Sequence, residues 1–189
     1  MINPRLTEFR AGATGDWVIR DIRPVLGPTL PPAHALTIKP GAEPGAEISA
    51  TPAAWVLHGL PSNARYTEAE EKAALLAKQE GLGRPEATYA ALLPIRKTAA
   101  WWDLPQDARR RVFEAQSHHT QIGLRYLPAI ARRLYHCRDL STAEPFDFLT
   151  WFEFRPEDEP AFDHLLAELR RSPEWTYVDR EVDVRLVRI

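Results

Sequence analysis

Two basic side chains near the middle of the chain, His119 and Arg132, are the first candidates for ligand chemistry. The histidine closes an apolar stripe with helical spacings of four, three and four, which consists of Ala108, Val112, Ala115 and His119. Its neighbour His118 continues a charged face, so we expect the imidazole of His119 to point into the protein and that of His118 to point toward water. An inward imidazole can bind a metal or transfer a proton, and it can equally be a structural core residue.

If the two candidates are to reach one cavity, the helix must break between them. In one straight helix the 13 positions between them (132 − 119 = 13) would span roughly 20 Å, at about 1.5 Å per residue. Gly123 and Pro128 predict two helical segments instead. The second segment has Arg132 at its edge, and its predicted apolar face consists of Leu124, Leu127, Ala131 and Leu134. Two hypotheses remain: the break brings both side chains to one cavity, or His119 is half-buried and Arg132 lies on the surface.

Four longer segments occur in order over most of the last hundred residues. They are IRKTAAWWDLPQDARR at 95–110, HTQIGLRYLPAIARRL at 119–134, EPFDFLTWFEF at 144–154 and EWTYVDREVDVRL at 174–186. Together they resemble the haem-binding core of the chlorite dismutase family, specifically its short-chain, dimeric branch. The resemblance implies that His119 binds the iron of haem b from the proximal side and that Arg132 stands on the distal side.

The same resemblance implies a partner for the second ring nitrogen of the proximal histidine. It places a carboxylate at Glu174 and a supporting lysine at Lys97. Such a carboxylate orients the imidazole and raises its basicity, which stabilises high oxidation states of iron. Because Glu181 lies nearby in the sequence, either acid remains a candidate for this role.

Three further residues are implied to contact the cofactor: Trp101, Trp102 and Gln79. Two adjacent indoles cannot both enter one narrow core, so we expect one on the haem and the other on a neighbouring surface. Gln79 corresponds to a distal-side glutamine of the short-chain branch. Three other histidines have no partners at metal-ligand spacing and are interpreted as structural or surface residues, namely His58, His136 and His164.

The resemblance implies a haem b-dependent chlorite dismutase, which converts chlorite to chloride and dioxygen. Arg132 would hold the substrate anion by charge-assisted hydrogen bonds. One alternative is a related haem enzyme, a coprohaem decarboxylase or a peroxidase, and another is a haem-binding barrel without turnover. Related decarboxylases carry a tyrosine at the position where Leu93 stands, and this departure favours chlorite.

Composition and charge describe an ordinary globular protein. The chain has 24 basic and 26 acidic residues among 189, and its net charge of −2 gives no sign of a nucleic-acid or membrane surface. Its single cysteine, Cys137, excludes an internal disulfide and a multi-cysteine metal site. Without an apolar run of about 20 residues or an apolar signal core, the chain is expected to be cytoplasmic. The short length and the branch resemblance predict a homodimer.

Hydrophobic periodicity predicts an α+β architecture. Residues 1–50 hold 7 of the 17 prolines and 5 of the 9 glycines, and we expect them to form a covering segment with short strands. Residues 51–189 are predicted to form one barrel, with strands over 52–60, 88–97, 146–154 and 182–187 and helices beginning near Thr67 and Pro160. Two ferredoxin-like halves could close an antiparallel barrel with the helices outside, and the family resemblance implies the same fold.

Overall fold

A computed structural model describes residues 6–41, 52–62 and 65–189, and these form a closed antiparallel barrel of eight strands with helices outside it. The strands are β1 (Thr7–Gly12), β2 (Trp17–Leu26), β3 (Ala35–Pro40), β4 (Trp55–Pro61), β5 (Tyr89–Lys97), β6 (Ala131–His136), β7 (Phe148–Phe154) and β8 (Val178–Arg188). The helices are α1 (Ala69–Lys78), α2 (Ala99–Asp103), α3 (Gln106–Arg110), α4 (His119–Arg125) and α5 (Glu159–Arg170). Around the barrel the strands follow the order β1-β3-β2-β8-β5-β7-β6-β4. The predicted α+β barrel is confirmed.

The second half of the chain forms a ferredoxin-like unit. Its strands lie in the spatial order β8-β5-β7-β6, and each is antiparallel to its neighbours. Helices α2, α3 and α4 connect β5 to β6, and α5 connects β7 to β8. Helix α5 buries the apolar face that the sequence predicts, made of Phe162, Leu165, Leu166 and Leu169. None of the helices that the structure describes is long and apolar enough to cross a membrane.

The N-terminal strands are part of the barrel, so the prediction of a covering segment over residues 1–50 was wrong. Strand β1 lies between β3 and β4, and β2 pairs with β8 over most of its length. Their partners are distant in sequence, and local composition rich in proline and glycine carries no information about such pairing. The predicted boundary between residues 50 and 51 lies outside the described residues.

Apolar side chains fill two layers, one inside the barrel and one between the barrel and its helices. Phe9 and Trp151 belong to the inner layer, and Phe162 belongs to the outer one. Successive residues of a strand point to opposite faces, so Leu92 on β5 joins the inner layer while Leu93 joins the outer layer. The outer layer covers only part of the β5–β7–β6 surface, and the rest of that surface is available to a site.

Residues 131–136 form strand β6, and the prediction of a second helical segment there was wrong. The strand pairs with β7 along its whole length, and this pairing outweighs the helical spacing of its apolar residues. Tyr135 points into the inner layer. Arg132, Leu134 and His136 alternate with it at a period of two and therefore share the opposite face. Arg132 thus projects from a rigid strand.

The long helix predicted ahead of His119 is interrupted. A π-helical segment covers residues 111–116, and His118 adopts a left-handed backbone conformation with φ of 51°, so α4 begins afresh at His119. A π segment carries more residues per turn than an α-helix, which shifts the side-chain register. Ala115 is therefore exposed and Glu114 is buried, so the predicted stripe was wrong, although His118 is exposed and His119 half-buried as expected.

Candidate functional site

Two cavities lie against the outer face of the β5–β7–β6 sheet. Their empty volumes are about 700 and 580 Å³, part of which is open to solvent. Both cavities are bounded by the same five residues, Ile95, His119, Arg132, Thr150 and Trp175. We call them the first and the second cavity; His119 and Arg132 line both of them.

His119 is held by a buried ionic group. Its Nδ1 lies 2.6 Å from one carboxylate oxygen of Glu174, and the ammonium of Lys97 donates to the other oxygen at 2.7 Å. Glu174 and Lys97 are only 4% and 7% exposed. Because Nδ1 is engaged, Nε2 is the ring nitrogen left to face the cavities, and the carboxylate increases its basicity.

The carboxylate of Glu174 stays ionised over the usual pH range. Burial by itself would raise its pKa, but the charges of His119 and Lys97 and their hydrogen bonds lower the pKa of Glu174 to about 2. Glu181 is engaged elsewhere, since its carboxylate accepts hydrogen bonds from Arg170 and from the indole of Trp175. The structure therefore pairs the histidine with Glu174 rather than with Glu181.

The π-helical segment positions this group. Buried Glu114 accepts a hydrogen bond from the backbone N–H of Thr120 at 2.7 Å, which satisfies a free donor at the start of α4. The Ser117 hydroxyl accepts one from the backbone N–H of Glu174 at 2.8 Å. Phe113 stacks on the imidazole of His119 with ring centroids 4.3 Å apart. The sequence interpretation missed Glu114 because it assigned this residue to the charged face that also carries His118.

Arg132 offers a cation to both cavities. Within the part of the chain that the structure describes, no acid or carbonyl is bonded to its guanidinium, in contrast to most other arginines. Burial lowers the pKa of Arg132, yet a guanidinium remains protonated in proteins. A desolvated cation without a partner favours an anionic ligand.

The two adjacent tryptophans have different environments. Trp101 is 1% exposed and lines the first cavity, where the ammonium of Lys97 lies 4.5 Å from the centre of its ring. Trp102 is outside both cavity walls and stacks on Phe148, and the guanidinium of Arg138 lies 4.2 Å from the centre of its ring. Its stacking partner Phe148 lines the first cavity.

Gln79 lies outside the two cavities, at the exposed end of α1. Its amide donates a hydrogen bond of 2.9 Å to the backbone carbonyl of Arg132. The structure therefore connects the predicted distal glutamine with the strand that carries Arg132, and gives it no place on the walls of the first or second cavity.

His136 is a cavity residue that the sequence interpretation classed as structural or surface. It is 1% exposed and lines the first cavity, and neither of its ring nitrogens has a hydrogen-bond partner within the described part of the chain. The buried indole N–H of Trp101 in the same cavity also lacks one. If β6 had been recognised as a strand, the spacing of four residues between Arg132 and His136 would have placed His136 on the same face as Arg132.

These residues fit a haem. Buried polar atoms that have no partner among the described residues, at His136 and Trp101, favour a ligand with polar groups in the first cavity. The donor set suits iron, since a histidine supported by a carboxylate is a common axial ligand. Apolar walls from Ile95 and Trp175 would contact a flat aromatic macrocycle.

A first prediction concerns Glu174. Glu174→Gln should weaken iron ligation by His119 roughly tenfold to a hundredfold and should raise the ferric/ferrous potential, because a less basic imidazole stabilises Fe(III) less. Redox titration of the haem-loaded protein measures this potential. Glu181→Gln removes another buried acid and should leave the potential unchanged; a shift in that variant alone would assign the partner role to Glu181.

A second prediction concerns His136, whose burial and whose neighbour Arg65 lower its pKa to about 4. In the unfolded chain the imidazole takes up a proton near its ordinary pKa of 6.5, so folding stability should fall as the pH decreases from 6.5 toward 4. This contribution is about 2–3 kcal/mol. Urea unfolding of the haem-free protein should therefore depend less on pH in His136→Leu. Exposed His118 provides the control, since His118→Leu should retain the full pH dependence of stability. If both variants showed the same pH dependence, the pH effect could not be assigned to His136.

A family model described as chlorite dismutase matches residues 46–188. A chlorite dismutase from Ideonella dechloratans is 35% identical over 89 residues, which are 47% of this chain and only 28% of that protein. The crystal structure of dimeric chlorite dismutases from Nitrobacter winogradskyi is 54% identical, covering 97% of this chain and 99% of that chain with a TM-score of 0.87. A mutant chlorite dismutase from Candidatus Nitrospira defluvii is 28% identical, covering 74% and 56% of the two chains with a TM-score of 0.58. The chain belongs to the chlorite dismutase family.

Proposed function

We propose that this protein is a haem b-dependent chlorite dismutase, which converts chlorite to chloride and dioxygen (ClO₂⁻ → Cl⁻ + O₂). The observation that carries the proposal is the joint position of His119 and Arg132 on one cavity. The histidine is backed by a buried carboxylate, and the arginine has no partner among the described residues. Family membership and the 54% identical structure support the same function.

In this proposal His119 would hold the haem iron through Nε2, while Glu174 and Lys97 fix the tautomer and orientation of the ring. Trp101 and Trp175 line the space that the macrocycle would occupy. When bound, haem supplies the redox chemistry that cleaves a Cl–O bond and joins the two oxygens. The conversion consumes and releases no proton, so the protein needs no general acid or base.

Arg132 acts on the anion. Its guanidinium offers a fixed positive charge and several N–H donors, which bind a small oxyanion by charge-assisted hydrogen bonds. Because the apolar walls exclude water, this attraction is stronger than it would be in bulk solvent. The residue therefore orients chlorite and retains the chlorine oxyanion until both oxygens have left as dioxygen.

The wall of the second cavity favours chlorite over decarboxylation. Leu93 lines this cavity at the position where related decarboxylases carry a tyrosine. A leucine side chain has no hydroxyl group, and therefore no acidic proton, to contribute to an oxidative decarboxylation. The same cavity presents Arg132 to an anion.

The function is tested with haem-loaded protein in a closed oxygen electrode. Added chlorite should yield equal amounts of dioxygen and chloride, the latter measured by ion chromatography. Free haem at the same concentration is the control. Protein with a His119-dependent haem spectrum that evolves no oxygen would refute the proposed reaction and favour a non-catalytic haem-binding barrel.

We also propose that the protein is a homodimer. Support comes from the structure of the dimeric chlorite dismutases of Nitrobacter winogradskyi, since the match covers nearly the whole length of both chains. Size-exclusion chromatography with light scattering should give twice the chain mass of 21.5 kDa. Elution at the mass of one chain would contradict the dimer and would leave the site within each chain intact.

A further inference from the structure

A groove outside the two cavities lies between β6 and α1. Strand β6 pairs with β4 at Tyr135 and His136, and the backbone N–H of Ser62 donates a hydrogen bond of 3.0 Å to the Leu134 carbonyl. The Gln79 side chain bridges from α1 to the Arg132 carbonyl. Between these elements lies an open groove with an empty volume of about 930 Å³.

The groove carries an excess of positive charge. Among the described residues its lining contains three bases, Lys72, Arg132 and Arg133, and no acid. The chain as a whole has more acids than bases, so this sign is a local feature. Two nearby acids, Glu71 and Glu80, are ion-paired with arginines outside the groove and offset little of its charge.

The groove and the site share a wall. Arg132 and Leu134 line both the groove and the first cavity, so the groove adjoins the interior space at these two residues. Lys72 and Arg133 are exposed and stand on the solvent side of that wall. An anion that arrives in the groove therefore meets two surface cations before it meets the desolvated guanidinium.

We propose that this groove is the entrance through which small anions reach Arg132, and that Lys72 and Arg133 increase the rate of anion capture. The inference rests on the proposed function, in which the substrate is a small anion. Surface cations at the mouth of a cavity raise the local concentration of an anion and its association rate, and salt screens the effect. Neutral ligands of similar size are not attracted.

The test uses haem-loaded protein at pH 8 and stopped-flow absorbance, with azide as the anionic probe and uncharged imidazole as the neutral probe. At low ionic strength, Lys72→Glu and Arg133→Glu should each slow azide association by about threefold to fivefold, and the double variant by more. Imidazole association should change by less than about twofold, since it carries no charge. Added salt should slow azide in the wild type and should remove the difference between wild type and variants.

The matched control is Lys78→Glu, which reverses an exposed charge on the same helix that does not itself line the groove. It should slow azide association much less than either groove variant. Equal azide rates in wild type and groove variants, or an equal decrease in Lys78→Glu, would overturn the entrance. A protein that evolves no oxygen from chlorite could still capture azide in a charge-dependent way. That result would support the entrance and contradict only the proposed reaction.

Discussion

His119→Ala is expected to abolish haem binding or weaken it severely, whereas His118→Ala retains it. The two histidines are adjacent, but their side chains have opposite environments: His119 bonds Glu174 and lines both cavities, and His118 is exposed at the start of α4. Loss of the axial ligand removes the only protein bond to iron in this account. Titration of haem-free protein with haem, followed by its Soret absorbance, should give one haem per chain in the wild type and in His118→Ala.

The adjacent variant is the control for folding, and circular dichroism of the haem-free proteins should show both variants folded. Imidazole added to folded His119→Ala should partly restore the spectrum of a nitrogen-ligated haem, because the cavity that held the side chain becomes free. Equal loss of haem in both variants would mean that His119 is not the ligand. Retention of haem by His119→Ala would mean the same.

Arg132→Ala is expected to keep its haem spectrum while turning over chlorite more slowly and for fewer cycles. A hydrogen bond to a charged group contributes roughly 1.5–3 kcal/mol, which corresponds to about tenfold to a hundredfold in kcat/KM. Without the guanidinium, the chlorine oxyanion should escape before the second oxygen is transferred. Oxygen yield per chlorite, trapping of escaped hypochlorite by added methionine and the rate of haem bleaching measure this escape.

Two variants make the result for Arg132 specific. Arg132→Lys keeps the positive charge without the planar fork of donors and should fall between wild type and Arg132→Ala. Arg111→Ala removes an exposed arginine from the π-helical segment and should change neither the rate nor the haem lifetime. Wild-type turnover number and haem lifetime in Arg132→Ala would remove this residue from the reaction.

Local periodicity was sufficient for most of the second half of the fold. The alternation at 146–154 and the apolar face of the helix after Pro160 correspond to β7 and α5. Both are elements in which a buried face matches a helical or strand period over enough residues to be distinctive. Short strands were also expected near the N-terminus, but no local signal placed them in the barrel, because their pairing partners are far away in sequence.

The site shows where local patterns fail. Arg132 lies in a stretch whose apolar residues also fit a helix, and only its pairing with β7 makes it a strand. His119 was selected for a stripe that the π-helical segment disrupts, so its inward orientation depends on the break at His118 and on Glu174. Helical spacing predicts neither the π segment nor the contact between His119 and Glu174, which are 55 residues apart in the sequence. The family resemblance supplied that pairing, and the geometry then separated Glu174 from Glu181.

The central claim is that both oxygens of one chlorite leave together as dioxygen from the cavity that His119 and Arg132 share. It is tested most directly by adding an equal mixture of unlabelled chlorite and chlorite labelled with ¹⁸O at both positions to the haem-loaded protein, and analysing the gas by mass spectrometry. Retention of the chlorine oxyanion predicts unlabelled and doubly labelled dioxygen with little of the singly labelled species, and Arg132→Ala should increase the singly labelled share. A statistical mixture of all three species from the wild type, or no dioxygen at all, would contradict the account.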